Sequence, residues 1–94
     1  MPQNPAKPTV AIKIRDEIAS GAYANNMFVT HSREEFVMDF LYMTTGQGMV
    51  NARVITSPGH MKRIIRALEE NVRKYEAAHG VIKESAGPKD PPTN

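Results

Sequence analysis

The chain has 94 residues, no cysteine, 40% hydrophobic residues and a formal net charge of +2. This length predicts one domain, and the hydrophobic fraction is typical of a globular protein and too high for a disordered one. Without cysteine, the chain can form neither a disulfide nor a thiolate metal site or nucleophile. No apolar run approaches the ~20 residues that span a bilayer, and the first seven residues lack the apolar core of a signal peptide. We therefore expect a soluble, cytoplasmic protein without a membrane partner.

Proline and charge divide the chain into three parts. Residues 1–8 contain three prolines and few apolar residues, which predicts a flexible arm. Residues 9–80 carry the periodic apolar patterns and are expected to form a single α+β domain. Residues 81–94 contain three more prolines and scattered charges, which predicts a disordered tail.

Two strands are expected before the middle of the chain. Residues 10–15 alternate apolar and polar side chains after a proline, which predicts a short, half-buried strand. Residues 16–21 indicate a turn or a brief helical turn closed by Gly21. Residues 22–30 favour a second strand, and Asn25 with Asn26 could mark a bulge near its start, because asparagine tolerates the left-handed conformation.

The segment that follows supports two interpretations. Ser32 and Glu35 have the spacing of a capping box, which favours a helix from Arg33. As a strand, residues 34–43 would instead separate two faces, with Phe36, Met38, Phe40 and Tyr42 on one and Val37, Asp39 and Leu41 on the other. A Gly-rich loop at residues 46–48 and a further alternating segment at 49–56 would complete a β-hairpin. We choose the strand, and expect Asp39 to pair with Arg53 across the hairpin.

One long helix organises the C-terminal half. Ser57 is a favourable N-cap, Pro58 suits the first helical position, and Gly80 provides a residue that ends a helix. A single apolar stripe follows helical spacing, formed by Met61, Ile64, Ile65, Leu68, Val72 and Tyr75. The helix would be ~33 Å long.

The predicted fold is therefore an antiparallel four-stranded β-meander followed by one long C-terminal α-helix, in the order β-β-β-β-α. One helix covers only one face of such a sheet, and an apolar face left uncovered typically marks an interface. We expect a homodimer or higher homo-oligomer; the alternative is a monomer whose free face is covered by the arm or the tail. The residues expected to form the core and dimer surface are Phe36, Val37, Phe40, Leu41, Ile64 and Leu68.

The start of the helix is the best candidate for a ligand site. Backbone N–H groups at Gly59 and His60, with Lys62 and Arg63 nearby, could bind an anion at the positive end of the helix dipole. The opposing interpretation is that Ser57 already caps one donor and that the basic residues only solvate the helix.

A basic ridge of Lys62, Arg66 and Arg73 could contact nucleic acid. Glu69 and Glu70 interrupt it and stand four residues before Arg73 and Lys74, the favourable order for intrahelical ion pairs. A solvated helix face is the better explanation, so nucleic acid is not the expected partner.

No constellation of residues indicates catalysis or a bound cofactor. His31, His60 and His79 lack the spacing of metal ligands, and no nucleotide-binding motif is present. A single carboxylate such as Asp39, without a nucleophile or a second acid, does not form an active site. We therefore expect no catalytic residue, no metal and no cofactor.

Four blocks of sequence resemble a small prokaryotic family of short cytoplasmic proteins classed as a domain of unknown function. They are YANN at residues 23–26, HSxEEFVxDF at 31–40, ARVIxSPxHxKR at 52–63 and ALxxNxxxYE at 67–76. The resemblance favours strands before the helix and suggests that His60, Lys62 and Arg63 belong to a recurring signature. The family offers no activity to carry over, and the short linker at residues 44–49 departs from its pattern.

A second analogy is topological. Four antiparallel strands followed by a long helix are similar to the fold of the protein-export chaperone and its antitoxin-linked relatives, although a shared fold is poor evidence of function. The expected function is a non-catalytic, oligomeric protein-binding or adaptor module. The alternatives are a chaperone-like binder of extended apolar segments, or a weak nucleic-acid binder that uses the basic helix face.

Overall fold

The computed structural model describes residues 9–84. In chain order its elements are a one-turn helix α1 (Asp16–Ala19), strands β1 (Asn26–His31), β2 (Phe36–Thr44) and β3 (Gln47–Thr56), and helix α2 (Pro58–His79). The three strands form one antiparallel sheet in the order β1-β2-β3. The expected α+β architecture, an antiparallel sheet followed by a long C-terminal helix, is confirmed.

The ambiguous segment is a strand, and the capping-box residues form a turn. The Ser32 hydroxyl accepts hydrogen bonds from the backbone N–H groups of Glu34 and Glu35, both at 3.3 Å. The Ser32 N–H donates to the Glu35 carbonyl at 2.9 Å, which closes the link between β1 and β2. Pairing on both sides, with β1 and β3, gives the β2 backbone the partners that a helix would have supplied.

Strands β2 and β3 form the expected hairpin, but the loop predicted at residues 46–48 is wrong. Gln47 and Gly48 are paired with β2, so the loop consists of residues 45–46 only. Thr44 pairs with Gln47, and Gly46 takes a φ of 73° in the loop between them, a conformation that suits glycine. The β1–β2 register is regular from Asn26, which pairs with Leu41, to His31. The Asn25 N–H also donates to the Leu41 carbonyl at 3.0 Å, so Asn25 and Asn26 both face Leu41, as expected for the predicted bulge. A second irregularity lies between β2 and β3.

The Asn25 side chain extends the contact between the start of β1 and the end of β2. Its amide nitrogen donates to the Met43 carbonyl at 3.0 Å, and its amide oxygen accepts from the Met43 N–H at 2.9 Å. The side chain thus takes the place of a backbone partner for Met43 at the end of β1.

Helix α2 begins and ends as the sequence predicts. The Ser57 hydroxyl accepts a hydrogen bond from the His60 N–H at 3.2 Å, with Pro58 in the first turn. At the other end the Gly80 N–H donates to the Glu76 carbonyl at 2.9 Å. Because both ends are satisfied locally, the helix needs little tertiary support to define its bounds.

The N-terminal strand predicted at residues 10–15 is not a strand of this sheet. Within the described residues, 9–15 have no assigned strand or helix, and α1 follows as the expected brief helical turn. Val10, Ile12 and Ile14 are 73%, 91% and 63% exposed. Alternation predicts an amphipathic strand, but a strand also requires a hydrogen-bonded neighbour, which the sheet of this chain does not provide for residues 9–15.

The apolar core of the described chain is very small. Met38, Leu41 and Met61 are its buried hydrophobic side chains. Met38 and Leu41 lie on opposite faces of β2, and Met61 belongs to α2. Met61 is the buried residue of α2, and Ile64 is half-buried one turn later. Most of the helix stripe is therefore not covered by the sheet.

The terminal predictions fall mostly outside the described residues. The arm at residues 1–8 and the segment 85–94 of the tail lie beyond them. Residues 81–84 have no assigned helix or strand, and the Ile82 N–H donates to a Glu76 carboxylate oxygen at 2.9 Å.

Candidate protein-binding surfaces

One face of the sheet has an apolar centre, with polar residues at its two ends (His31 and Thr56 at one, Thr44 and Gln47 at the other), and we call it the methionine face. Strand alternation and register place on it the side chains of Met27, Val29, Phe36, Met38, Phe40, Tyr42, Met49, Ala52 and Val54. The predicted alignment of Phe36, Met38, Phe40 and Tyr42 on one face of β2 is thereby confirmed.

The methionine face remains largely open to solvent. Met38 at its centre is buried, but Met27 on β1 and Met49 on β3 are 46% and 62% exposed, and Tyr42 and Val54 are similarly open. Large apolar side chains that adjoin one another on a sheet are the usual composition of a binding surface. Methionine side chains can also adapt their shape to different partners.

The opposite face, which we call the ion-pair face, has a charged centre. The Arg53 guanidinium donates two hydrogen bonds to the Asp39 carboxylate, at 2.6 Å from Nε and 2.9 Å from the terminal nitrogen. Hydrogen bonding to Arg53 is the main cause that lowers the pKa of Asp39 below its ordinary value of 3.8. The predicted cross-strand pair is confirmed. Around it lie Phe28, Val37, Leu41, Met43, Val50 and Ile55.

The ion pair is unevenly exposed, which limits what this face can bind. The Asp39 side chain is 16% exposed, whereas that of Arg53 is 60% exposed. A partner that covered Arg53 would remove its exposed guanidinium from water, which costs desolvation free energy. The ion-pair face is therefore less suited than the methionine face to a broad apolar contact.

A bulge and an aromatic contact shape one end of the sheet. The register shifts between Phe40 and Leu41, which pair with Ala52 and Val50 and leave Asn51 as the extra residue of β3. The Asn51 side chain donates to the Tyr23 carbonyl at 2.9 Å. The Tyr23 ring then lies edge-on to Tyr42, with centroids 5.8 Å apart, at the border of the methionine face.

The residues predicted for the core and dimer surface are distributed over both faces and the helix. Leu41 is buried, whereas Phe36, Val37, Phe40 and Ile64 are half-buried. Leu68 is 61% exposed on α2. The sequence predicts that the helix leaves one apolar sheet face uncovered. In the described chain, both sheet faces and the helix stripe are partly exposed to solvent.

The candidate anion site at the helix start stays a prediction. The His60 N–H is bonded to the Ser57 hydroxyl, and Arg63 Nε donates to His60 Nδ1 at 3.3 Å. Lys62 follows Met61 in the same turn and is exposed, as are Gly59, His60 and Arg63.

The basic ridge lies on one exposed flank of α2. Lys62, Arg66 and Arg73 are all exposed, with Glu69 interleaved among them. Lys74 Nζ lies 3.8 Å from a Glu70 carboxylate oxygen, the i,i+4 pair expected from the sequence. Alternating signs along this flank weaken its attraction for a polyanion.

The histidines are dispersed among the elements. The His31 ring lies against Phe36 with centroids 5.3 Å apart, and the His79 ring lies 4.8 Å from Tyr75. Across residues 9–84, no group of three or more His, Asp or Glu residues is placed to hold a metal ion. In the same part of the chain, no helix combines the length and apolarity needed to cross a bilayer.

Sequence reasoning missed the contribution of β3 to the exposed surface. Met49, Val54 and Ile55 are exposed apolar residues that the predicted surface did not include. The available signal was the alternation along residues 49–56, which places apolar side chains on both faces of this strand.

Comparison with known proteins identifies the family. No curated protein and no solved structure matches the chain. A family model described as a protein of unknown function (DUF3467) matches residues 1–84, nearly the whole sequence. The resemblance to a domain of unknown function is thus confirmed, and the chain belongs to the DUF3467 family.

Proposed function

We propose that this protein is a non-catalytic, homo-oligomeric module that binds another protein through the methionine face of its sheet. The observation that carries the proposal is the exposure of adjoining large apolar side chains on β1, β2 and β3 around the buried Met38. Burial of such a surface would be favourable at ~25 cal/mol for each Å² removed from water.

Self-association is the second part of the proposal. The described chain buries three hydrophobic side chains, a small core for a domain of this length. A homodimer or higher oligomer would cover further apolar surface. We include in the proposal the fourth strand: residues 10–15 would pair with a sheet edge of a second copy, which would give the apolar side chains of this segment a surface to cover.

The oligomer is tested by light scattering coupled to size exclusion, over a wide range of protein and salt concentrations. We expect a particle of at least dimer mass that salt does not dissociate, because apolar contacts are not screened by ions. A monomer at every concentration would refute the oligomer. Hydrogen exchange of the amides of residues 10–15 tests the fourth strand, which should become protected as protein concentration rises.

The binding face is tested with two adjacent residues of β3. Val54 lies on the methionine face and Ile55 on the ion-pair face, and they are similarly exposed, at 45% and 54%. Val54→Lys should lower capture of a partner protein at least tenfold, whereas Ile55→Lys should leave it unchanged, because only the first places a charge in the apolar contact. Equal capture by both variants would exclude the methionine face.

A chaperone-like activity is the second candidate, and it is favoured by Met27 and Met49 at the two sides of the same face. Flexible methionine side chains accommodate many apolar sequences. In this case the protein should suppress aggregation of a model protein diluted from denaturant, and Val54→Lys should abolish the suppression. An adaptor would instead bind one specific partner and leave aggregation unchanged.

Binding of nucleic acid would contradict both candidates. It would weaken steeply as salt rises and would be lost on Lys62→Glu or Arg66→Glu. If Val54→Lys also bound nucleic acid as tightly as the wild type, the functional surface would be the basic face of α2 and not the methionine face.

A further inference from the structure

Helix α2 carries a heptad pattern that the fold of one chain does not use. Residues at spacings of four, three, four, three and four lie on one stripe, namely Met61, Ile65, Leu68, Val72, Tyr75 and His79. This is the a/d pattern of a coiled coil, sustained over nearly three heptads. Ile65, Leu68, Val72 and Tyr75 are between 46% and 61% exposed, so the stripe is open beyond the buried Met61.

We infer that this stripe pairs with α2 of a second copy of the chain in an antiparallel coiled coil. The inference rests on the proposed homo-oligomer and names its interface on the helix. In the alignment that opposes Leu68 to Val72 of the second copy, Ile65 opposes Tyr75. The layers from Ile65 to Tyr75 are then filled by apolar side chains, and the stripe is complementary to itself, as a two-fold interface requires. Met61, which is buried in its own chain, and His79 lie at the two ends of this contact.

The charges that border the stripe select the antiparallel orientation. On one flank stand Lys62, Glu69 and Glu76, each one residue after a d position. An antiparallel pair places this flank against itself, so Lys62 approaches Glu76 of the second copy twice by symmetry. A parallel pair would place it against Ile64, Asn71 and Ala78, which carry no charge and form no ion pair.

Two details of the flank fit the same alignment. Near the two-fold axis, Glu69 lies close to Glu69 of the second copy, and the two carboxylates repel each other. Arg66 and Arg73 lie one helical turn before and after Glu69, and their positive charges reduce this repulsion. Glu76 already accepts a hydrogen bond from the Ile82 N–H at 2.9 Å. An ionised carboxylate has further acceptor positions, so Glu76 can also accept from Lys62 of the second copy.

The absence of cysteine from the sequence allows a direct test by single-cysteine cross-linking. Asn71→Cys places a thiol near the two-fold axis of the antiparallel pair. Ala78→Cys is the matched control, because it lies on the same flank one heptad later and would be ~21 Å from its own copy. We expect a covalent dimer to form at least tenfold faster with Asn71→Cys, whereas a parallel pair would treat the two positions alike.

A charge introduced into the stripe tests whether the stripe forms the interface. Val72→Glu, added to Asn71→Cys, should slow cross-linking on the order of 100-fold because the charge enters the interface twice. Ala77→Glu adds the same charge on the opposite face of α2 and should leave the rate unchanged. Because Val72 is 46% exposed in the single chain, its substitution should leave the chain folded.

The outcomes separate the coiled coil from the proposed function. Wild-type oligomers whose Asn71→Cys and Ala78→Cys variants cross-link equally slowly would refute the coiled coil and leave the oligomer standing. Rapid cross-linking of Asn71→Cys, together with no protein captured by the methionine face, would support the coiled coil and refute the binding function. A wild-type monomer at every concentration would refute the oligomer and the coiled coil together.

Discussion

Replacement of leucine by alanine at two positions distinguishes a residue buried within one chain from a residue that a second copy of the chain would cover. Leu41 on β2 is 7% exposed and Leu68 on α2 is 61% exposed. Replacing a buried leucine by alanine costs about 3 kcal/mol in lost transfer free energy and cavity formation. Leu41→Ala should therefore lower the free energy of unfolding by about 3 kcal/mol at any protein concentration.

Leu68→Ala should behave differently because its environment depends on concentration. In a single chain only about two fifths of the Leu68 surface is removed from water, so the cost is about 1 kcal/mol in dilute solution. In the coiled coil the remaining surface is covered, and the cost should approach that of a buried leucine. The wild-type unfolding midpoint should rise with protein concentration, and Leu68→Ala should remove most of that rise.

Urea unfolding followed by far-ultraviolet circular dichroism measures both effects, in samples that span a hundredfold range of protein concentration. The reasoning would be refuted if Leu68→Ala and Leu41→Ala lowered the midpoint equally in dilute samples. A wild-type midpoint independent of concentration would also contradict it, because Leu68 would then have no second copy to cover it.

Three further predictions concern single positions. Gly46→Ala should destabilise the chain by about 1 kcal/mol, because residue 46 has a φ of 73°. Gly59→Ala should stabilise it by up to about 1 kcal/mol, because residue 59 lies in the first turn of α2 and an added Cβ meets nothing within 4 Å. Thermal unfolding of the two variants measures both effects. Because Arg53 lowers the pKa of Asp39, the ionised pair stabilises the fold at neutral pH, and this contribution should be lost as the pH falls below the ordinary value of 3.8 and through the lowered pKa. Asp39→Asn should remove that part of the acid dependence, and an unchanged acid profile would show that the pair is not coupled to folding. Ser57→Ala should cost about 1 kcal/mol and Ser57→Asp much less, since aspartate also caps the His60 N–H; equal losses in urea unfolding would contradict the cap.

Predictions based on neighbouring residues were the most successful. The ends of α2 follow from Ser57, Pro58 and Gly80, which satisfy or terminate the helix within one turn. The faces of β2 follow from alternation alone, and the opposite charges of Asp39 and Arg53 predicted their cross-strand pair. In each case the determining interaction spans few residues or a short loop.

Predictions that depended on a distant partner were less successful. The alternation of residues 10–15 indicates a strand, yet no strand of the described chain pairs with it. The capping box at Ser32 is equally compatible with a helix and with a turn, and pairing of β2 on both sides decided for the turn.

By itself, the sequence determined the long capped helix, the hairpin, the two faces of β2 and the heptad spacing on α2. These features follow from periodicity and from contacts between residues near one another in the chain. Only the tertiary structure decided that the sheet within residues 9–84 has three strands and that the bulge at Asn51 puts Val50 and Val54 on opposite faces. It also decided that the helix stripe is covered at Met61 and open beyond it, and that both sheet faces remain partly exposed. The physical reason is that exposure depends on which elements pack together, and periodicity within one element carries no information about its neighbour.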